Sequence, residues 1–333
     1  MAPEERPEDQ VTLLISETEV DSLADMTMAM EAVGDAFRLQ GQGKAINLPR
    51  RRVGGGRTTL QLMGGAIPEL DRIGFKAYVG GAGSTRFVVN LYRESTGELD
   101  AVIEAGRLGQ LRTGAASGVS AKYLAREDAA VVAIIGSGYQ ARTQLEVVSR
   151  ARDLTAARVY GRDPARRERF SSEMSTTLNL KVTPVTSPQE ACDGADLIIT
   201  ATNSLEPVLA GSSIAPGSHV MAMGANRIQA RELDDAALAA FDFIAADDLE
   251  QARIESGDLT AAVEIGAIGW DEIVQMGDIV AGLASGRGSP RQCTLFKSLG
   301  IAIWDIALAD RIFRTAIAAG IGTEVNMHRD VPG

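Results

Sequence analysis

The chain has 333 residues, of which 45% are apolar and 23% are charged, values typical of a folded globular protein. Its formal net charge of −11, without a basic stripe interleaved with aromatic residues, argues against nucleic acid as a partner. The first ten residues lack the positive end and apolar run of a signal peptide, and no later apolar stretch has a membrane-spanning length, so we expect a cytoplasmic protein without membrane contacts.

The N-terminal third predicts helix, then sheet, then helix. Ser16 and Glu19 have the spacing of a capping box, and apolar residues recur at helical intervals to about Gln40, which predicts one helix. From about residue 45 to 105, short β-like runs separated by Gly-rich or Ser-Thr-Gly turns predict a largely antiparallel sheet of hairpins. The small residues of 106–125 predict a closely packed helix.

From residue 130 onward, β-like and helical runs alternate. The β-like runs are AVVAII, ARVYG, ADLIITAT, SHVMAMG and FDFIAA. Such alternation predicts an α/β fold with a doubly wound parallel sheet, the Rossmann arrangement. Residues 295–320 predict a long amphipathic helix with a loop in front of it, and we expect this helix to close back onto the N-terminal part.

The segment VVAIIGSGYQAR, residues 131–142, joins a buried strand to a helical run through a G-x-G-x-x-A loop. Gly136 allows the tight turn, Gly138 lets the backbone approach a pyrophosphate, and Ala141 permits close packing of helix on strand. The free N–H groups of the helix favour phosphate, whereas a merely structural βα turn is the alternative. The expected cofactor contacts also include Ser137, Tyr139, Gln140, Thr200, Ala201, Thr202, Met223 and Gly224.

The end of the next strand bears on the choice of cofactor. The acid that reads a ribose 2′-hydroxyl should stand there, but the chain has Gly161 with Arg162 beside it. Without that carboxylate a 2′-phosphate is not repelled, and a guanidinium can bind it with two hydrogen bonds. NADP(H) is therefore preferred, while Asp163, a small backbone shift away, keeps NAD(H) possible.

Residue types argue against a metal centre. Cys192 and Cys293 are far apart and outside any C-x-x-C spacing, so ordinary thiols are expected. His219 and His328 are expected to be structural or exposed, which leaves little for a histidine-based triad. Two adjacent acidic pairs, typical of solvated helix caps, are Asp234–Asp235 and Asp247–Asp248. We predict that no metal is bound.

Several stretches from about residue 13 to 321 together resemble the ornithine cyclodeaminase/mu-crystallin family. They are GFKAYV, GRLGQLRTGAASGVSAKYLA, GSGYQAR, GANRIQARELD, LEQARIESGDL and LFKSLGIAIWD. The resemblance implies a homodimer. It also implies an α+β substrate-binding and dimerisation domain, residues 1–117 with 294–333, into which the Rossmann domain, residues 118–293, is inserted. The active site is then expected between the two domains.

The resemblance also implies roles for individual residues. Lys76 looks like the family's active-site lysine and Arg112 like the arginine that binds the substrate carboxylate. A second carboxylate-binding arginine should come from PRRRV, where Arg50 and Arg52 are both candidates. Ion pairs or solvated surface charge are the structural alternatives for these four. Two cofactor contacts are implied as well: Thr113 at the phosphates, and Ser298, otherwise a helix cap, near the nicotinamide.

Two positions depart from the cyclodeaminase pattern. Asn226 stands where those enzymes carry an aspartate that serves as acid and base, and Gln61 stands where another acid is expected. An amide can hydrogen-bond a substrate nitrogen, but it takes no proton at neutral pH. Both departures weaken a deaminase assignment and leave hydride transfer possible.

The combined prediction is an NAD(P)H-dependent reductase of an α-imino acid, either a cyclic ketimine or an imine formed from a 2-oxo acid and an amine. Hydride passes from the nicotinamide C4 to the imine carbon. Arg112 and one of the two candidate arginines fix the carboxylate, Lys76 tunes substrate charge or shuttles a proton, and Asn226 orients the nitrogen. The alternatives are an ornithine cyclodeaminase or amino-acid dehydrogenase with NAD, and a mu-crystallin-like protein that binds NADPH and a small ligand with little turnover.

Overall fold

The computed structural model describes residues 11–81, 83 and 85–327. His328 therefore lies outside the described residues. Within the described ranges the chain forms strands β1–β15 and helices α1–α11, numbered along the chain, and the strands make two sheets of seven and eight strands. No helix in these ranges is both long and apolar enough to cross a membrane.

The first sheet has the order β15-β1-β6-β5-β4-β3-β2. Its hairpins from β2 to β6 are antiparallel throughout, which confirms the predicted sheet, and β1 joins β6 in parallel. Its strands are β1 (Thr12–Ile15), β2 (Ile46–Gly54), β3 (Thr59–Ile67), β4 (Arg72–Gly80), β5 (Arg86–Arg93), β6 (Leu99–Glu104) and β15 (Thr323–Val325).

The helices of this part of the chain are α1 (Glu17–Leu23), α2 (Met26–Gly41), α3 (Gly106–Leu124) and α11 (Ala302–Ala319). The capping box at Ser16 and Glu19 is present, but the single predicted helix to Gln40 is wrong. Ala24 is extended, and Asp25 caps a second helix by accepting a hydrogen bond from the Met28 amide. Two consecutive helices on one apolar stripe are indistinguishable by periodicity from one long helix.

The first sheet buries one face against α11 and leaves apolar residues on the other. In β3, burial alternates residue by residue, as the two-residue period of a strand requires. The outer face carries five exposed aliphatic side chains: Ile46, Leu48, Val53, Ile73 and Val79, with exposed fractions from 44% to 65%. We call this surface the outer sheet face.

The second sheet is parallel in every pairing and has the order β13-β12-β14-β11-β10-β7-β8-β9. Its strands are β7 (Val131–Ile135), β8 (Ala156–Tyr160), β9 (Val182–Pro184), β10 (Leu197–Thr200), β11 (His219–Ala222), β12 (Phe243–Ala246), β13 (Val274–Gln275) and β14 (Thr294–Lys297). The associated helices are α4 (Tyr139–Ala151), α5 (Pro164–Leu178), α6 (Pro188–Cys192), α7 (Asp235–Leu238), α8 (Leu249–Glu255), α9 (Gly257–Glu264) and α10 (Met276–Val280). The predicted Rossmann arrangement is confirmed.

The predicted helix over residues 295–320 begins too early: residues 294–297 form β14, a fully buried strand between β11 and β12, and α11 begins only at Ala302. A buried parallel strand has no alternation of polarity, and this one is only four residues long. The division into residues 1–117 with 294–333 and 118–293 stays a prediction, and we propose that its second boundary follows β14.

Candidate active site

A cavity of about 620 Å³ opens between the two sheets. Segments that follow β10, β11 and β14 at their carboxyl ends contribute to it, and β7 lies where the strand order reverses, the usual ligand position in such sheets. Many of the residues predicted to bind substrate or cofactor line this cavity. They are Arg50, Gln61, Lys76, Arg112, Thr113, Tyr139, Gln140, Ala201, Thr202, Met223, Gly224, Asn226 and Ser298.

The glycine loop fits a dinucleotide. Gly136 has φ of +118°, and a Cβ there would clash with the Ala201 carbonyl, so the turn requires glycine. Nothing lies within 4 Å of a Cβ built at Gly138, which leaves the backbone open to a ligand. No side chain caps α4, so the N–H groups of its first turn remain available for a pyrophosphate.

The residues that follow β8 bear on the choice between NADP(H) and NAD(H). A Cβ at Gly161, the position where a ribose-binding acid would stand, would lie 2.4 Å from the Ser137 hydroxyl oxygen, so any side chain there requires Ser137 to change its rotamer. Asp163 is engaged elsewhere: it caps α5 by accepting from the Arg166 amide and lies 3.4 Å from that side chain. Arg162 is exposed and forms no ion pair with any residue that the structure describes.

Lys76 and Arg112 share one buried carboxylate at the cavity. Lys76 Nζ donates to Asp305 Oδ1 at 2.9 Å, and Arg112 Nε donates to the same oxygen at 3.2 Å. Both cations use space left by glycines: a Cβ at Gly109 would lie 2.8 Å from Lys76 Nζ, and one at Gly300 would lie 2.5 Å from Arg112 Nη1. Three elements, β4, α3 and α11, thus position two cations side by side.

The environment of Lys76 shifts its pKa. Burial is the main cause that lowers the pKa of the Lys76 ammonium to about 8; Asp305 opposes the shift, and the neighbouring charges of Arg112 and Arg50 add to it. The ammonium also lies 5.1 Å from the centroid of the Phe87 ring. A lysine with a pKa near neutrality can exchange a proton with a ligand at physiological pH.

The two candidate arginines on β2 differ in their placement. Arg50 is buried and lines the cavity, whereas the structure does not place Arg52 in the cavity wall. Both pair with Glu255, Arg50 at 2.8 Å and Arg52 at 2.6 Å. Arg50 also donates from Nη2 to the Leu299 and Gly300 carbonyls, and its buried Nε has no acceptor among the described residues. The geometry favours Arg50 as the substrate contact.

Further side chains line the cavity. The Tyr78 hydroxyl donates to Gln61 Oε1 at 2.7 Å, and the Tyr78 ring lies 4.7 Å from that of Phe87, between centroids. Asn226 lines the cavity, and its carbonyl accepts from Arg52 Nη2 at 2.9 Å. Because Gln61 uses its oxygen for Tyr78, its amide group is left to donate to a ligand.

Other predicted site residues lie beside the cavity rather than in its wall. They are Arg52, Gly136, Ser137, Gly138, Gly161, Arg162 and Thr200. For the glycine-loop residues this agrees with phosphate binding outside the cavity. Thr200 is fully buried and donates to the Glu232 carboxylate at 2.9 Å, so its hydroxyl proton is already used within the protein.

Buried carboxylates to which the sequence analysis gave no role in the site hold its loops. Glu232 accepts hydrogen bonds from the amides of Thr202, Gly224 and Ala225, which ties the loops after β10 and β11 together. Asp247 accepts from the Ser298 hydroxyl and from the two amides that follow it, and burial raises the pKa of Asp247 to about 6. Asp305 and Glu255 complete this group.

The signal for one of them is visible in the sequence. Asp305 interrupts the apolar run AIWDIALA at a helical position that should face the core. A buried carboxylate needs a cationic or hydrogen-bonding partner, so an acid at such a position points to a cation across the interface. Glu232 and Glu255 lie among polar residues and give no comparable signal.

No group of three or more metal-ligating side chains occurs in the described ranges. His219 is fully buried, and its ring nitrogens contact the hydroxyls of Ser120 and Thr294; burial lowers the pKa of His219 to about 3. Cys192 and Cys293 are free and buried. Asp234 and Asp248 cap helices α7 and α8, but the prediction that Asp247–Asp248 is a solvated pair is wrong, because the two residues are only 0% and 9% exposed.

Comparison with known proteins extends over most of the chain. The chain is 33% identical over 326 residues to the alanine dehydrogenase of Archaeoglobus fulgidus, an alignment that covers 96% of this chain and 99% of that protein. Its fold matches the Δ1-pyrroline-2-carboxylate reductase of Thermococcus litoralis, solved with NADH and L-proline, at a TM-score of 0.90 and 33% identity, covering 94% of this chain and all of the other. It also matches an archaeal alanine dehydrogenase dimer with bound NAD, at a TM-score of 0.90 and 31% identity, covering 96% and 100%.

The family model of these proteins matches residues 10–320. This range includes the second sheet, the first sheet except β15, the glycine loop and the Lys76, Arg112 and Asp305 cluster. The chain belongs to the ornithine cyclodeaminase/mu-crystallin family.

Proposed function

We propose that the protein is an NAD(P)H-dependent reductase of an α-imino acid, acting on a cyclic ketimine or on an imine formed from a 2-oxo acid and an amine. The observation that carries the proposal is one cavity that is lined by Lys76, Arg112 and Arg50 and borders the glycine loop, which fits a dinucleotide. The similar reductase with NADH and L-proline and the similar alanine dehydrogenase act on the same class of C–N bond.

The cavity wall also separates this function from deamination of a diamino acid. Among the described residues that line the cavity there is no carboxylate, but there are four cationic side chains: Arg50, Lys76, Arg112 and Arg227. A substrate with a second ammonium group would meet cations without a counter-charge, and no acid is present to take a proton from it. An imino acid with a neutral side chain suits this wall better than ornithine.

The dinucleotide would be held by the α4 N-terminus and by the segments after β10 and β11. When bound, it supplies or accepts the hydride. Arg112 and Arg50 bind the substrate carboxylate, which orients the C=N bond. Lys76 keeps a positive charge near that carboxylate and holds a proton within reach of the substrate nitrogen, and Asn226 hydrogen-bonds the nitrogen.

We propose NADP(H) as the preferred cofactor. Support comes first from Gly161, where no carboxylate can repel a 2′-phosphate. It comes also from the neighbouring Arg162, which is exposed and has no ion-pair partner among the described residues. Asp163 is held as the cap of α5, which makes it a weaker candidate for a ribose contact. NAD(H) remains the competing choice, as in the similar alanine dehydrogenase with bound NAD.

We propose further that the protein is a homodimer through the outer sheet face. Aliphatic side chains that are about half exposed, such as Leu48 and Val53, cluster there, and a contiguous apolar surface of this kind marks an association site. The similar alanine dehydrogenase is a dimer.

The test is oxidation of NADPH and NADH, followed by their absorbance, with a panel of cyclic ketimine acids and of 2-oxo acids mixed with ammonia or methylamine. A parallel reaction measures ammonia release from L-ornithine with NAD. Oxidation with an imine and no ammonia from ornithine is the expected result. Ammonia release without net change of the cofactor would contradict the proposal and show that Asn226 permits deamination.

The Lys76→Met variant is the control for the site. We expect it to bind NADPH like the wild type and to lose turnover by about 10²–10⁴-fold, the usual contribution of a proton-transfer group. Full activity in this variant would remove Lys76 from the mechanism.

A further inference from the structure

Asp305 occupies a place in the site that the proposed function leaves unexplained. It lies on α11, is fully buried, and does not line the cavity. One oxygen, Oδ1, accepts from both Lys76 Nζ and Arg112 Nε, at 2.9 and 3.2 Å. The other, Oδ2, is buried without a hydrogen-bond partner among the described residues. A carboxylate held only to stabilise the fold would be expected to use both oxygens.

The same helix offers a structural counterpart. Asp310, five residues further along α11, pairs with Arg72 on β4 and with Arg314, so both of its oxygens are used. Lys76 lies on β4 with Arg72, and thus one helix and one strand are joined by two ion pairs. Only the pair at Lys76 lies at the cavity, which separates its role from that of the Arg72 pair.

We propose, on the basis of the proposed function, that Asp305 is a positioning residue: its carboxylate holds the Lys76 ammonium and the Arg112 guanidinium side by side and keeps Lys76 charged for the substrate. Two cations on neighbouring elements repel each other, and one shared anion removes that repulsion without entering the cavity. The substrate carboxylate then meets a fixed pair of cations, while Asp305 stays behind them.

The charged groups around Lys76 are few. Asp305 on α11 is the anion in contact with it, while Arg112 on α3 and Arg50 on β2 are the cations that face it. Glu255 on α8 pairs with Arg50 and reduces the effect of that cation on Lys76. Burial and both cations lower the pKa of Lys76, and Asp305 raises it, so loss of the Asp305 charge must lower this pKa below its present value of about 8.

The test compares wild type, Asp305→Asn and Asp310→Asn. For each we would measure kcat/KM for imine reduction against pH, and the Kd of pyrrole-2-carboxylate, an acid with no reducible imine, against pH in the NADPH complex. In wild type we expect kcat/KM to fall and the Kd to rise as the pH increases above about 8; we call this part of the profile the alkaline limb. In D305N we expect the alkaline limb to lie about one pH unit or more lower, because the loss of one neighbouring charge shifts a pKa by about that amount.

D310N is the matched control, because it removes a buried carboxylate from the same helix without touching Lys76. D310N should lower the midpoint of urea unfolding and leave the alkaline limb at the same pH as in wild type. An unshifted limb in D305N, or the same shift in both variants, overturns the proposal. If wild type reduces no imine, the proposed function fails, and the pH dependence of the Kd still decides the role of Asp305.

If D305N does not fold, D305E decides the question. It keeps the charge and moves the carboxylate by one methylene. We expect its limb to stay within about half a pH unit of wild type while kcat/KM falls by about tenfold or more, because the two cations are displaced. Wild-type kcat/KM in D305E overturns the positioning role.

Discussion

Replacing Glu255 by glutamine tests the polar core that joins the two sheets at the site. Glu255 is fully buried on α8 and binds Arg50 and Arg52 of β2, and Gln251 donates to the same carboxylate at 2.9 Å. The substitution keeps the size of the side chain and removes its charge. Two arginines then remain around a neutral amide that can accept through only one oxygen.

The size of the effect follows from burial. The Arg50 and Glu255 side chains are 2% and 0% exposed, and removing one partner of such a buried pair costs about 3–5 kcal/mol. Arg52 is 29% exposed, so its pair with Glu255 contributes only about 0.5 kcal/mol. Glutamine retains part of the hydrogen bonding, and we therefore expect the free energy of unfolding to fall by about 3 kcal/mol, the lower end of the range.

The assay is urea unfolding together with steady-state kinetics. We expect the KM for the imino acid to rise by about tenfold or more in E255Q, because Arg50 loses the contact that fixes its guanidinium, while the affinity for NADPH is unchanged. Glu250→Gln, an exposed site on the same helix, is the control and should change the free energy of unfolding by less than about 1 kcal/mol. An E255Q protein with the stability and KM of wild type would refute this reasoning.

Three further predictions concern the cofactor, the pH dependence and the assembly. Arg162→Ala should weaken NADPH binding by about tenfold or more and change NADH binding by less than about twofold, as measured by fluorescence titration; equal effects on both would contradict the NADP(H) preference. Since the pKa of Lys76 is about 8 and its charged form binds the carboxylate, kcat/KM should be constant below that pH and fall as the pH rises through it; a profile flat to pH 10, about two units higher, would exclude this role. Leu48→Asp, which places a charge on the outer sheet face, should convert a dimer to a monomer in light scattering, whereas an unchanged mass would place the interface elsewhere.

Local patterns predicted the local parts of this structure. The hairpins from β2 to β6 are β-like runs with turn residues at their ends, and the glycine loop lies between a buried strand and a helix as its spacing requires. The capping box at Ser16 was predicted from three-residue spacing alone. In each case the interactions that decide the structure join residues close in the sequence.

Long-range interactions account for what sequence could not predict. β14 is a strand because β11 and β12 flank it, although their residues are some fifty or more positions earlier, and its Lys297 is neutralised by Asp258 on α9. Likewise, Glu255 acquires its role from arginines on a distant strand. Neither partner is visible in a local window, because ion pairs across elements follow from tertiary structure.

The central place of β14 has a consequence for synthesis of the protein. When a ribosome has made the chain only as far as residue 290, β12 and β13 exist without the strand that joins them to β11, and the sheet is divided into two parts with unpaired edges. Such edges invite pairing with other chains. The second sheet therefore cannot complete its pairing before residues 294–297 leave the ribosome, and we expect the nascent chain to be most prone to mispairing until then.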